Sequence, residues 1–207
     1  MRKYKLIISA LLITLVATSV YTGTTSAATG YQGYAIYRDG VFFGADWHAG
    51  MMDSAYSDYY LPVTHHSGSG VVKWDSWANF LDGNNFKGVY KPSGSIVENY
   101  RDLFVGKARA LKDAQIGYTV WHMLNWDDAD TSLGDWIDVD EITLIRCDGV
   151  IEYSYEWYGF RVYGNNDYWD ITKAEMDNKE MHSVFTVTPK IQKDYLVLVT
   201  SSVPKSP

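Results

Sequence analysis

The sequence predicts an α+β fold in which an antiparallel sheet is packed against helices, and three observations carry that prediction. Between Gly30 and Pro92, short apolar stretches alternate with turn residues, the pattern of consecutive short strands. From Ile96 to Leu111, apolar residues return at helical spacing. From Cys147 to Tyr158, a second one-sided stripe follows the apolar run "ITLI".

The N-terminal stretch "MRKYKLIISALLITLVATSVYTGTTSAATG" places Arg2, Lys3 and Lys5 ahead of an apolar run that ends in small residues, the pattern of a secretory signal peptide. Residues 1–28 are assigned to that signal and residues 29–207 to a single domain. The apolar run is shorter than the roughly 20 residues a bilayer span needs, so no membrane span is expected. A domain of about 180 residues buries about 70% of its unfolded surface, enough for one core. The expected location is secreted or at the cell envelope.

The elements follow in chain order. Strands are expected near Tyr34 to Arg38, Val41 to Gly44 and Trp47 to Met52, the first two joined at Asp39-Gly40, a favoured hairpin dipeptide. "LPVTHH" reads as a further strand, "SGSG" (Ser67 to Gly70) as a turn and "VVKWD" as the returning strand. Asp75 can cap a short helix, "SWANFLDG", stopped by Gly83, and "FKGVY" is one more strand. The longest helix is expected from Ser95, with Glu98 three places on as in a capping box and a break near Gly106. The acidic stretch that follows does not fit a calcium loop. Counting from Asp128 puts Leu133 where glycine belongs and Val139 where a bidentate glutamate belongs. A helix around Lys173 to Glu180 and strands at "HSVFTVTP" and "YLVLVT" complete the reading.

Charge narrows the partners. The full chain carries 18 Lys and Arg against 25 Asp and Glu, a net charge of −7, and loss of the signal's three basic residues makes it roughly −10. That balance repels phosphate backbones and anionic membrane surfaces, so nucleic acid is not an expected partner. A neutral or cationic substrate fits it. No cofactor or metal is called for, and a monomer is expected.

Cys147 is the sole cysteine, so it has no intramolecular disulfide partner. It can be a small buried hydrophobe, an intermolecular bridge or a nucleophile. Its predicted place in the first turn of a helix favours a thiolate, through free backbone N–H groups and the helix dipole. The same amides can hold an oxyanion, and Gly149 lets another backbone approach closely. A nucleophile needs a base, and the candidates are His48, His65, His66, His122 and His182. His48 in "DWHAG" and His65 in "VTHHSG" lie on adjacent predicted strands and can share a sheet face, while alternation turns His66 away. His122 and His182 read as structural or surface residues.

These motifs resemble those of a known superfamily. "RCDGVIEYSYE" is similar to the cysteine helix of the NlpC-like papain-fold superfamily, "WHAGMM" to its histidine strand and "VTHHSG" to the strand that carries its third polar residue. "ALKDAQIGYTVW" more weakly resembles the segment that leads into the cysteine. Here both histidines precede the cysteine, the order of the circularly permuted branch that includes YiiX-like and lecithin:retinol acyltransferase-like proteins. The resemblance implies a circularly permuted papain-like fold with Cys147 as nucleophile, His48 as general base and acid, and His65 as the residue orienting His48. It also implies that Arg146, in place of the usual Asp or Asn, favours thiolate, and it points to Tyr118 as an oxyanion contributor. The chain departs from the pattern in lacking Gly-Gly after that tyrosine and in carrying a long acidic insertion.

Three functions follow from this reading. The first is a secreted cysteine peptidase or amidase that cleaves an amide bond, with cell-wall peptide as substrate and an acyl-enzyme on Cys147. The second keeps the chemistry and changes the acyl group to a lipid or thioester. The third is a non-catalytic cell-wall or glycan-binding module that uses some of the 8 Trp and 17 Tyr.

Overall fold

Strand alternation in the first hundred residues builds one sheet whose two faces are covered by different helices, and the chain's two chemically distinctive groups are distributed over those faces. The structure is a computed structural model and describes residues 27–41, 46–127, 134–162, 171–173 and 186–207. In chain order the strands are β1 Ala35–Val41, β2 Asp46–Met52, β3 Val63–His65, β4 Lys73–Asp75, β5 Phe86–Lys91, β6 Gly117–Tyr118, β7 Leu124–Trp126, β8 Ile142–Ile145 and β9 Val197–Thr200. The helices are α1 Trp77–Leu81, α2 Glu98–Asp113, α3 Cys147–Glu156 and α4 Pro189–Gln192. The protein is therefore a mixed α+β fold with an antiparallel sheet and helices. Its main sheet has the order β4-β3-β2-β1-β5-β9, and all its pairs are antiparallel. A second sheet has the order β6-β8-β7, with β6 and β8 parallel.

Period-two alternation decides what each face meets. Ala35, Tyr37, Ala49 and Met51 share a buried cluster with Phe104, Val105, Ala108 and Leu111 of α2 and with Cys147, Val150, Ile151 and Tyr155 of α3. Ile36, Met52, Val63 and Val89 face the other way, onto Phe80 of α1. At roughly 25 cal/mol per Å², apolar burial is the main favourable term for both faces.

Several expectations are corrected by the structure. The Asp39-Gly40 turn is instead an irregularity inside β1, where the register with β2 shifts between Arg38–His48 and Val41–Asp46. Gly40 is needed there because its φ is +89° and Asn84 crowds the place a Cβ would take. Of the strand expected at Val41 to Gly44, Val41 ends β1 and the remainder lies outside the described residues.

Ser76, not Asp75, caps α1, accepting the Asn79 N–H at 3.2 Å. The Ser95–Glu98 box is not formed: α2 starts at Glu98 after Val97, which makes no side-chain cap, and runs unbroken through Gly106. Arg101 is buried on the inner face of α2 because the carbonyls of Thr29, Gly30 and Gln32 accept its guanidinium. Leu103, one of the apolar residues in the helical repeat from Ile96 to Leu111, is exposed.

The stripe expected of α3 is also too narrow, because all ten of its residues are buried. Its acidic side chains face partners rather than water. Arg146 holds both oxygens of Asp148 at 2.6 and 2.7 Å, Gln192 donates to Glu152 at 2.8 Å, and the Val162 N–H donates to Glu156 at 3.0 Å. The N-terminal signal falls almost wholly outside the described residues, as does most of the helix expected at Lys173 to Glu180. Half of the strand expected at "HSVFTVTP" also lies outside them, and the described half is not strand: it leads through Thr188 into α4, which begins at Pro189. No helix among the described residues is long and apolar enough to cross a membrane.

Candidate active site

Two adjacent antiparallel pairings assemble the histidines. β3 pairs with β2 at Met51–Thr64 and Met52–Val63, which sets His65 beside Gly50 and diagonal to His48 on the α1 face. Gly50 is what makes room: a Cβ there would stand 2.8 Å from both Phe80 and Val63 and 3.3 Å from the Cβ of His65. With that space open, His48 Nε2 and His65 Nδ1 lie 2.7 Å apart, and both rings pack on Phe80. β4 then returns along β3 with His65 opposite Lys73 and Val63 opposite Asp75. Asp75 Oδ2 sits 3.4 Å from His65 Nε2 and 2.9 Å from Lys73 Nζ.

His48 and His65 are 5% and 2% exposed, and burial is the largest cause lowering the pKa of each. His48 is pushed well below the usual imidazole value, with His65, Arg38, His66 and Lys73 adding to the effect. His65 falls to about 4, although Asp75 opposes the shift. Both rings are therefore neutral at pH 7, and a neutral ring can accept a proton.

Cys147 opens α3 immediately after β8, and the Arg146 N–H ties that junction to the Met123 carbonyl at 2.8 Å. Gly149 permits the junction, since a Cβ on it would lie 2.4 Å from the Met123 carbonyl oxygen. The thiol is 4% exposed and faces the backbone N–H of Ala49, the residue after His48. β3 pairs with β2 only from Met51 onward, so β2 has an unpaired edge at that point, from which an amide can reach a sulfur.

Burial, then Asp148, push the thiol up to about 12, while the Ala49 N–H and Arg146 pull the other way. The expected bias toward thiolate is thus reversed at rest. Arg146 is committed to Asp148, whose carboxylate cancels its field, and desolvation outweighs the helix terminus.

The structure brings His48 and His65 together directly, and it brings Cys147 to the strand residue next to His48. The ring of His48 packs on the α1 face of β2 and the cysteine on the α3 face. Among the described residues, no hydrogen bond joins the sulfur to either imidazole. His66 turns away as alternation requires, packing against Tyr118 with ring centroids 4.8 Å apart and planes tilted by 48°. Burial, followed by nearby Cys147 and Asp148, raises the Tyr118 phenol, which is thus a neutral O–H close to the thiol's surroundings. His122 is partly buried, and His182 lies outside the described residues.

Sequence reasoning missed Asp75 as a site residue. It read this carboxylate as a helix cap, and the only signal for its second role was its place two residues beyond the partner of His65 on the same strand face. No family model, curated protein or solved structure matches the chain.

Proposed function

We propose that the protein is a cysteine hydrolase of permuted papain-like architecture, exported from the cytoplasm, that cleaves an amide bond in cell-wall peptide. The observation that carries this reading is a helix-opening thiol set against the strand residue next to a histidine that is itself hydrogen-bonded to a second histidine. A buried neutral thiol that meets the amide one residue beyond a buried neutral imidazole suits proton transfer during attack rather than a standing ion pair.

The proposed reaction requires substrate entry to rearrange the open edge of β2, since Cys147 Sγ rests on the α3 face and must come to His48 Nδ1 from the α1 face. Sulfur bonds to the carbonyl carbon as its proton passes to Nδ1, and the oxyanion is held by the backbone N–H of Cys147. Collapse breaks the C–N bond, and His48 returns the proton to the leaving amine. Water then attacks the thioester, giving up a proton to His48. The C–S bond breaks and that proton returns to sulfur, leaving a carboxylic acid and the original thiol.

The cavity against His65, about 260 Å³, is lined by Arg38, Lys73, Asp75 and Asn79 among others. That polar lining favours a peptide over an acyl chain in the neighbourhood of the site. The test is release of new amino groups from purified peptidoglycan. The wild-type protein is expected to release them, and Cys147→Ala to do so at least 10³-fold more slowly. Equal rates would refute the proposal.

A further inference from the structure

We propose that Asp75 is a positioning residue of this site: acting through His65, it fixes His48 in the tautomer that carries its proton on Nε2 and leaves Nδ1 free to take a proton from the thiol. The purpose of the device rests on the acyl-transfer reading above, whereas its content rests on hydrogen-bond direction alone.

Asp75 can only accept. Its Oδ1 takes the Ser76 N–H at 2.9 Å and the Asn79 side-chain amide at 2.7 Å, and its Oδ2 takes the Lys73 ammonium at 2.9 Å. Burial raises its pKa, but Lys73, Asn79, His65 and the Ser76 N–H together outweigh burial and lower it to about 2, so the carboxylate stays ionised. The 3.4 Å contact with His65 therefore requires the proton on His65 Nε2. A neutral imidazole carries one N–H, so His65 Nδ1 is a bare lone pair. The 2.7 Å contact between that atom and His48 Nε2 then requires the proton on His48 Nε2. His48 Nδ1 is left unprotonated, which makes it the basic atom of the pair. The reverse assignment would set the bare lone pair of His65 Nε2 against the carboxylate and leave a buried hydrogen bond unmade.

The same chain of contacts serves the charged state. When His48 takes the thiol proton, its Nε2–H already points at an acceptor, and His65 already points at an anion. The other groups facing the pair work against a positive charge. Arg38 comes from β1, with its guanidinium held by the carbonyls of Phe80 and Asp39 and lying 3.9 Å from Asp82. Lys73 comes from β4 and His66 from the end of β3, while α1 contributes the apolar Phe80. Asp75 is thus the anion that meets the histidine pair directly, and removing it would leave Arg38 and Lys73 unopposed there.

The experiment is long-range 1H–15N NMR of the imidazole nitrogens in the full chain at neutral pH, for wild type, Asp75→Asn and Asp75→Glu, run beside peptidoglycan hydrolysis. Wild type is expected to show His48 and His65 both protonated on Nε2. Asp75→Asn, whose amide can turn a donor toward His65, is expected to move protonation of His48 to Nδ1 and to lower kcat about 10²–10⁴-fold with little change in KM. Asp75→Glu is expected to restore the tautomer and part of kcat. An Nδ1–H on His48 in wild type would overturn the proposal without any variant, and so would an unchanged tautomer and rate in Asp75→Asn. If the tautomers are as expected but wild type hydrolyses nothing, the acyl-transfer reading fails and the assignment of Asp75 stands.

Discussion

At Cys147 two general expectations compete, and burial wins. The first turn of a helix lowers a thiol's pKa through its free N–H groups, but Cys147 is almost fully removed from water with the Asp148 carboxylate beside it, and its pKa rises to about 12. The raised value means the folded state favours the protonated sulfur. Alkylation by iodoacetamide should be slower at pH 7 than for a free thiol, and should accelerate as pH rises toward 12. Rapid labelling at pH 7 that levels off below pH 8 would show a thiolate already formed at rest. Cysteine and histidine were legible in the sequence because both are scarce, with one and five in 207 residues. The role of Asp75 was not. A carboxylate next to a helix start has an adequate local explanation, and its contact with His65 arises only once β4 pairs with β3.

Among the elements, α3 shows most clearly where local pattern stops informing. A one-sided apolar stripe implies a surface helix, yet α3 meets β2, α2 and α4, and its acidic residues are buried with partners. Sequence periodicity cannot register a buried ion pair, because Asp148 and Arg146 look like two solvated charges until both are enclosed. The need for Gly149 was legible, and the structure gives its reason in the carbonyl of Met123. Gly149→Ala should therefore cost about 1–3 kcal/mol, lowering Tm by about 2–12 °C, and should shift the Cys147 end of the helix. Gly106→Ala is the matched control, since a Cβ at that exposed position of α2 meets nothing within 4 Å and should be neutral or stabilising by up to about 1 kcal/mol. Calorimetry that found both variants equal to wild type would contradict the packing described for the β8–α3 junction.

Across the whole molecule, the main sheet was more legible than the second. β1 to β4 pair with their sequence neighbours, so turn residues and alternation suffice to place them, whereas β5 reaches back to β1 and β9 joins β5 from the far end of the chain. β6, β7 and β8 have two to four residues each, and the parallel β6–β8 pairing is set by tertiary contacts that no short apolar run encodes. That less legible sheet carries Cys147 at the end of β8, while the more legible one carries the histidines and Asp75. The central claim is that these two parts cooperate in covalent acyl transfer. Its most direct test is acid-quenched mass spectrometry after brief incubation with p-nitrophenyl acetate, with peptide mapping of wild type, Cys147→Ala and His48→Ala. The account predicts a transient acetyl group on Cys147 in wild type, none on that residue's replacement, and slower acetylation in His48→Ala. Acetylation of Cys147 at the same rate with and without His48, or ester turnover that persists in Cys147→Ala, would contradict it.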